Sequence, residues 1–183
     1  MRQQLVQRKR VFVGCEGESE RSYVTVLQRL LGIKAAYHLV SPVLNGGDPL
    51  AIVEAAAKAL RQEQQRGRDS FIAKFILLDC DILGRAPDRD RQAEKMAADG
   101  GFHFIWQDPC HEALLLRHIE QCHAHRPPTT VAAERALTKE WPLYQKNMAA
   151  QELAEIIDSA ALQRIARVEP GLAALLQMIG LCP

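Results

Sequence analysis

The sequence has no paired-cysteine pattern. Its five cysteines, Cys15, Cys80, Cys110, Cys122 and Cys182, are odd in number, scattered, and form no C-x-x-C pair, which excludes a disulfide framework as the organising device. Nor is there an excess of charge of one sign. With 23 basic and 22 acidic residues and a net charge of +1, the chain is not built to grip nucleic acid by bulk electrostatics, so any such contact comes from a local patch or through a metal ion. No apolar run approaches the roughly 20 residues that span a bilayer. The opening MRQQLVQRKR is basic but lacks the apolar stretch and small-residue cleavage site of a signal peptide. The expectation is a cytoplasmic protein with no membrane association. Internal repeats and low-complexity tracts are also missing. What is present is an ordinary globular composition, 48% hydrophobic and 25% charged over 183 residues, enough for one domain with a proper core.

The apolar pattern alternates between strands and helices. Residues 10–15 (RVFVGC) read as a short buried strand and 18–32 as a helix, with Tyr23, Leu27, Leu30 and Leu31 at helical spacing and Gly32 as its stop. Residues 36–41 form a second strand, followed by a turn at Gly46-Gly47, an N-cap at Asp48 and an alanine-rich helix over 49–66. The run FIAKFILL, 71–78, is nearly all apolar, as a central parallel strand covered on both faces should be. A helix over 88–99 ends at Gly100-Gly101, and 102–106 is the last strand. This order predicts an α/β fold: a compact, Rossmann-like parallel sheet flanked by helices. After Glu112 the chain reads as helical, with a loop at HRPPTT and breaks near Trp141-Pro142 and Glu169-Pro170. The division expected is a core over about 10–125 and a helical C-terminal extension over about 126–183, within a single domain.

Carboxylates collect at the predicted strand ends. Glu16 follows the first strand, Asp79 and Asp81 follow the central one, and Glu112 lies just past the last. In open parallel sheets ligands bind outside the carboxyl ends of the strands. Carboxylates gathered there repel one another unless a cation neutralises them, and hard oxygen donors suit Mg2+ or Mn2+. In an extended segment both side chains of Asp79-Cys80-Asp81 would face one side. Helix capping is the bland alternative for each acid taken alone, and it suffices for Glu18. Gly14 and Gly17 are expected to let the chain bend sharply beside the cation.

These residues carry a resemblance. VFVGCEGESERSYV (11–24), NGGDPLAIVEAA (45–56), FILLDCDILG (75–84), DPCHEALLLRHIE (108–120) and WPLYQKN (141–147) resemble, in order and spacing, segments of RloB-like proteins, which look like members of the Toprim superfamily. The resemblance implies a Toprim-type fold in which the Glu after the first strand and a later D-x-D hold magnesium, in topoisomerases, primases and OLD-type nucleases. Carried over by position, the ligands are Glu16, Asp79 and Asp81, with Glu112 and Glu20 as additions of the narrower family. It also implies a nuclease or phosphoryl-transfer component of a phage-defence or restriction-associated system, working beside an AAA-type ATPase. The alternative is a non-catalytic module docking on that ATPase. The sequence departs from the family pattern at Asp108, where asparagine is usual, at His111, where an aromatic is usual, and at Cys80 between the two aspartates, often a charged residue in relatives. The expected chemistry is metal-assisted phosphodiester hydrolysis, with Glu16 as ligand or general acid/base and Lys146 stabilising developing negative charge.

Other clusters have competing readings. Arg85, Arg89 and Arg91 follow the D-C-D directly and suit a DNA or RNA backbone, or form a solvated helix face. Arg61, Arg66 and Arg68 form a second basic cluster. His118 and Cys122 share zinc-compatible spacing with His123 and His125 nearby, or simply complement a helix end. In the tail, Leu153, Ile156, Ile157, Leu162 and Ile165 suit either a core or a homo-oligomer seam.

Overall fold

A computed structural model of the chain describes residues 8–33, 35–66 and 70–183. Arg68 and most of the basic N-terminal stretch lie outside the described residues. The elements run β1 (Lys9–Cys15), α1 (Glu18–Leu31), β2 (Tyr37–Val40), α2 (Pro49–Arg66), β3 (Phe71–Asp79), α3 (Pro87–Gly100), β4 (His103–Gln107) and α4 (His111–Leu116). A short 3-10 turn (Glu120–Cys122) then leads into α5 (Thr130–Glu140), α6 (Ala150–Leu153), α7 (Ser159–Ala166) and α8 (Pro170–Met178). The helix starts obey local chemistry. Glu20 Oε2 accepts from Gly17 N–H at 2.9 Å to cap α1, and Asp48 Oδ1 accepts from Ala51 N–H at 2.9 Å to cap α2.

The strands form one four-stranded sheet in the order β2-β1-β3-β4, and every pairing is parallel. The chain lays β2 on one side of β1 and then crosses to place β3 on the other. The strand order therefore reverses between β1 and β3, and the crevice beyond their carboxyl ends is the topological switch point. Both faces are covered. Val11, Val13, Cys15, Phe75, Leu77 and Ile105 pack on one side with α1 and the C-terminal helices. Phe12, Ile76 and Leu78 pack on the other with Ile52, Val53 and Ala56 of α2 and Ala93 and Ala97 of α3. A strand buried on both faces has no polar side to alternate with, hence the apolar run in β3.

The C-terminal helices share the first of these cores. Leu153, Ile157, Leu162 and Ile165 are at most 2% exposed, and Ile156 packs against the same cluster. These side chains are internal packing. Gly171 at the start of α8 lies so close to β4 that a Cβ would stand 3.4 Å from the Phe104 carbonyl oxygen. Arg117, fully buried, places its Nε 2.7 Å from Glu169 and donates from Nη1 to the Asp108 carbonyl at 2.9 Å, tying α4 to the start of α8. Gly14 does not bend the chain. It sits inside β1, where a Cβ would come within 2.9 Å of Leu44 Cδ1, so it is small for packing. Gly17 has an ordinary extended backbone, φ −140°.

His118 is buried and its ring is fully used. Nδ1 lies 2.9 Å from the Leu114 carbonyl, which only accepts, so Nδ1 carries the proton and Nε2 accepts from Tyr23 Oη at 3.1 Å. This removes His118 from any zinc set, and among the described residues no group of three His, Cys, Asp or Glu side chains is placed to hold a metal ion. Burial pushes the His118 imidazolium down to about 3. Between the unfolded value near 6.5 and that value, falling pH protonates the unfolded chain but not the native one, so stability drops. In urea unfolding at pH 7, 5.5 and 4.5, a His118→Gln variant is expected to lose this contribution, its slope being shallower than wild type by about 1 kcal/mol per pH unit. Identical slopes would remove the assignment.

Candidate functional site

The switch point holds the acids. Glu16, one residue beyond β1, is half-buried, and its Oε2 accepts from the backbone N–H of Asp79, the last residue of β3, at 3.1 Å. Asp79 follows the parity of Phe75 and Leu77, so its side chain belongs to the face covered by α1 and α4. Its Oδ1 is buried and has no hydrogen-bond partner. Glu20 stands in the first turn of α1 and is 5% exposed. Glu112 sits on α4, a short helix buried along its whole length, where its Oε1 accepts from Tyr144 Oη at 3.1 Å. Glu16, Glu20, Asp79 and Glu112 line one cavity of about 360 Å³, and among the described residues Lys146 is the only lysine or arginine lining it.

The electrostatics follow from this crowding. Burial, reinforced by the carboxylates of Glu16, Glu20, Glu112 and Asp81, pushes the Asp79 carboxyl up to about 9, so with no cation it carries a proton at neutral pH. Burial also raises Glu16; the Asp79 N–H and Lys146 oppose this, and Glu20 and Asp81 add to it. Burial pulls Glu112 upward too, but its own backbone N–H, His111, the Cys110 thiol and Lys146 outweigh it, and its carboxyl ends below the usual range. The donor set fits a hard divalent cation: clustered carboxylate oxygens, one of them orphaned. The donors are gathered rather than converged, since no three of them are arranged around one point.

Asp81 does not join this cavity. β3 ends at Asp79, and the chain turns over Cys80–Gly84, so the alternation that would align the two aspartates stops between them. Asp81 donates its N–H to the Pro109 carbonyl at 3.0 Å, and its Oδ2 accepts from Thr130 Oγ1 at 2.8 Å at the start of α5. It is exposed and lines a neighbouring cavity with Arg85, Asp108 and Thr129. The arginines expected to meet nucleic acid have internal partners. Arg89 forms two bonds with Asp48 at 2.8 and 3.0 Å, Arg91 pairs with Asp88, and Arg85 donates to the Asp81 carbonyl at 3.0 Å. Arg66 likewise pairs with Glu63.

Lys146 comes to the site through the WPLYQKN segment, whose contacts the sequence did not show. Ser19 Oγ donates to Asn147 Oδ1 at 3.0 Å and accepts from the Asn147 N–H at 3.2 Å. Ser19 and Asn147 are 128 residues apart, and no local pattern links them. Tyr144 lay within the quoted WPLYQKN, but nothing in that motif shows that its hydroxyl reaches Glu112. His111, 2% exposed, lines the cavity with Nδ1 2.6 Å from Gln107 Nε2 and 3.9 Å from Glu20 Oε1.

The family model for the RloB-like protein matches residues 11–173, and the chain belongs to that family. The match includes the C-terminal helices through the start of α8. Comparison with the curated proteins gave no match, and neither did comparison with the solved structures.

Crowding makes a stability prediction. The folded-state Asp79 carboxyl is raised, so its contribution is fully present below the unfolded value near 3.8 and is lost as pH rises towards about 9. In chelator-treated protein at pH 8, Asp79→Asn is expected to be more stable than wild type by on the order of 1–3 kcal/mol, with the gain vanishing near pH 4. Thermal unfolding at the two pH values checks this, and a variant destabilised at both would contradict it.

Proposed function

With membership of the RloB-like family as the premise, we propose that this chain is a Mg2+- or Mn2+-dependent phosphodiester hydrolase, a Toprim-type nuclease component of a phage-defence or restriction-associated system. The observation that carries the reading is the acidic cavity at the switch point, where the buried, unpartnered Oδ1 of Asp79 sits among Glu16, Glu20 and Glu112 with Lys146 alongside. A packed core has no use for such crowded negative charge. The defence setting and the AAA-type ATPase partner rest on the resemblance.

In this reading Glu16 and Asp79 hold the cation, supported by Glu20 and Glu112. A bound divalent cation supplies Lewis-acid stabilisation of the phosphoryl group. Asp79 would serve as a ligand in its ionised form, which a neighbouring positive charge favours. In its alternative role, off the cation, Glu16, held by the Asp79 N–H and raised by burial, would instead exchange a proton with the attacking water or the leaving oxygen. Lys146 neutralises charge developing on the phosphoryl oxygens. Asp81 adds negative potential from outside the cavity, as its effect on both Glu16 and Asp79 indicates. The substrate backbone, DNA or RNA, is recognised locally, because the net charge of +1 supplies no general attraction.

The second reading, a non-catalytic module docking on the ATPase, is favoured by one observation: no three potential ligands converge among the described residues. Calorimetric titration of Mg2+ and Mn2+ separates the two. Wild type is expected to bind, and Asp79→Ala/Asp81→Ala to bind at least tenfold more weakly; equal binding removes the metal claim. In a Mn2+ cleavage assay on DNA and RNA, with and without the ATPase, Glu16→Gln is expected to lower the rate on the order of a hundredfold or more. No cleavage by wild type in either arrangement favours the scaffold.

A further inference from the structure

We propose that Ser19 and Asn147 are positioning residues that clamp Lys146 over the acidic cavity, an inference that rests on Lys146 acting on phosphoryl charge. The segment 141–149 joins α5 to α6 without helix and passes the mouth of the cavity as a strap. Trp141, Tyr144 and Met148 anchor it in the core, each at most 9% exposed. Tyr144 Oη fastens its middle to Glu112 at 3.1 Å. Between the Tyr144 and Met148 anchors, Lys146 and Asn147 are exposed, and only the reciprocal Ser19–Asn147 pair holds that stretch against α1 by side-chain hydrogen bonds.

The clamp has a backbone component. Asn147 adopts φ +63°, the left-handed region, which asparagine tolerates better than other residues with a Cβ. That conformation turns the strap at Asn147, so that Lys146, one residue earlier, lines the cavity while the Asn147 side chain meets Ser19. Ser19 lies between Glu18 and Glu20 in the first turn of α1. The same helix turn thus presents Glu20 to the cavity and Ser19 to the strap. A lysine on a flexible stem gains a fixed position only if the backbone beneath it is fixed, and charge stabilisation at a reaction centre depends on that position.

The test reads Lys146 directly. In wild type with 13C-dimethylated lysines, the Lys146 resonance, assigned with Lys146→Arg, is expected to shift when Glu16→Gln is introduced. That response is expected to vanish in Ser19→Ala and in Asn147→Gly, which keeps the left-handed backbone but loses the side-chain acceptor, and to return in Ser19→Thr. A response that persists in both Ser19→Ala and Asn147→Gly overturns the clamp. In the cleavage assay, Ser19→Ala is expected to slow wild type on the order of tenfold and to have no further effect on Lys146→Ala. An equal drop in both backgrounds shows a structural role unconnected with Lys146 and overturns the proposal. Absence of wild-type cleavage counts against the nuclease reading alone, and the resonance then decides the clamp.

Discussion

The parallel pairing of β1 with β3 is the contact on which the rest of the structure depends. Its register sets Val13 beside Phe75 and Cys15 beside Leu77, and the alternation along both strands then assigns every flanking helix to one of two apolar faces. The same register brings Glu16, just beyond β1, within 3.1 Å of the Asp79 N–H. It also fixes the switch point, since β2 and β3 leave β1 on opposite sides. Packing and site are thus two consequences of one ladder. Gly14 shows how tight the pairing is, for a methyl group there would meet Leu44.

Around that ladder the molecule holds charge under constraint. With no cation bound, burial among carboxylates raises the Asp79 carboxyl far above its usual range, whereas His111, Cys110 and Lys146 hold that of Glu112 below it. Two carboxyl groups in one cavity therefore differ in protonation because their neighbours differ. The segment between α5 and α6 supplies one of those neighbours, Lys146, from a distance. The C-terminal helices complete the sheet's first core, and the strap that precedes them carries Tyr144 to Glu112 and Lys146 to the cavity. The tail expected as an extension of the core is therefore part of both core and site.

Much of this was legible in the residues. The strand expected at 71–78 and found at Phe71–Asp79, the helix stop at Gly32 and the cap at Asp48 were legible, because each depends on local propensity or on an unbroken apolar run. Glu16, Asp79 and Glu112 were legible as neighbours because a parallel sheet sends all its strand ends to one edge, and Glu20 came only with the family resemblance. Asp81 was misplaced because the two-residue period holds only while the backbone stays extended, and β3 ends one residue too soon. For Arg85, Arg89 and Arg91 the sequence left a nucleic-acid contact and a solvated helix face open, and it cannot show that Asp48, on another helix, binds Arg89.

The sequence by itself determined the order and type of the elements and the strand ends at which acids accumulate, since periodicity and turn chemistry act over a few residues. Only the tertiary structure decided which acids share a cavity, which proton is retained and which cation reaches them. Those outcomes turn on distances of a few ångströms between side chains far apart in the chain, Ser19 with Asn147 and Glu112 with Tyr144. Such distances are set by how the faces pack, and the linear pattern does not record them.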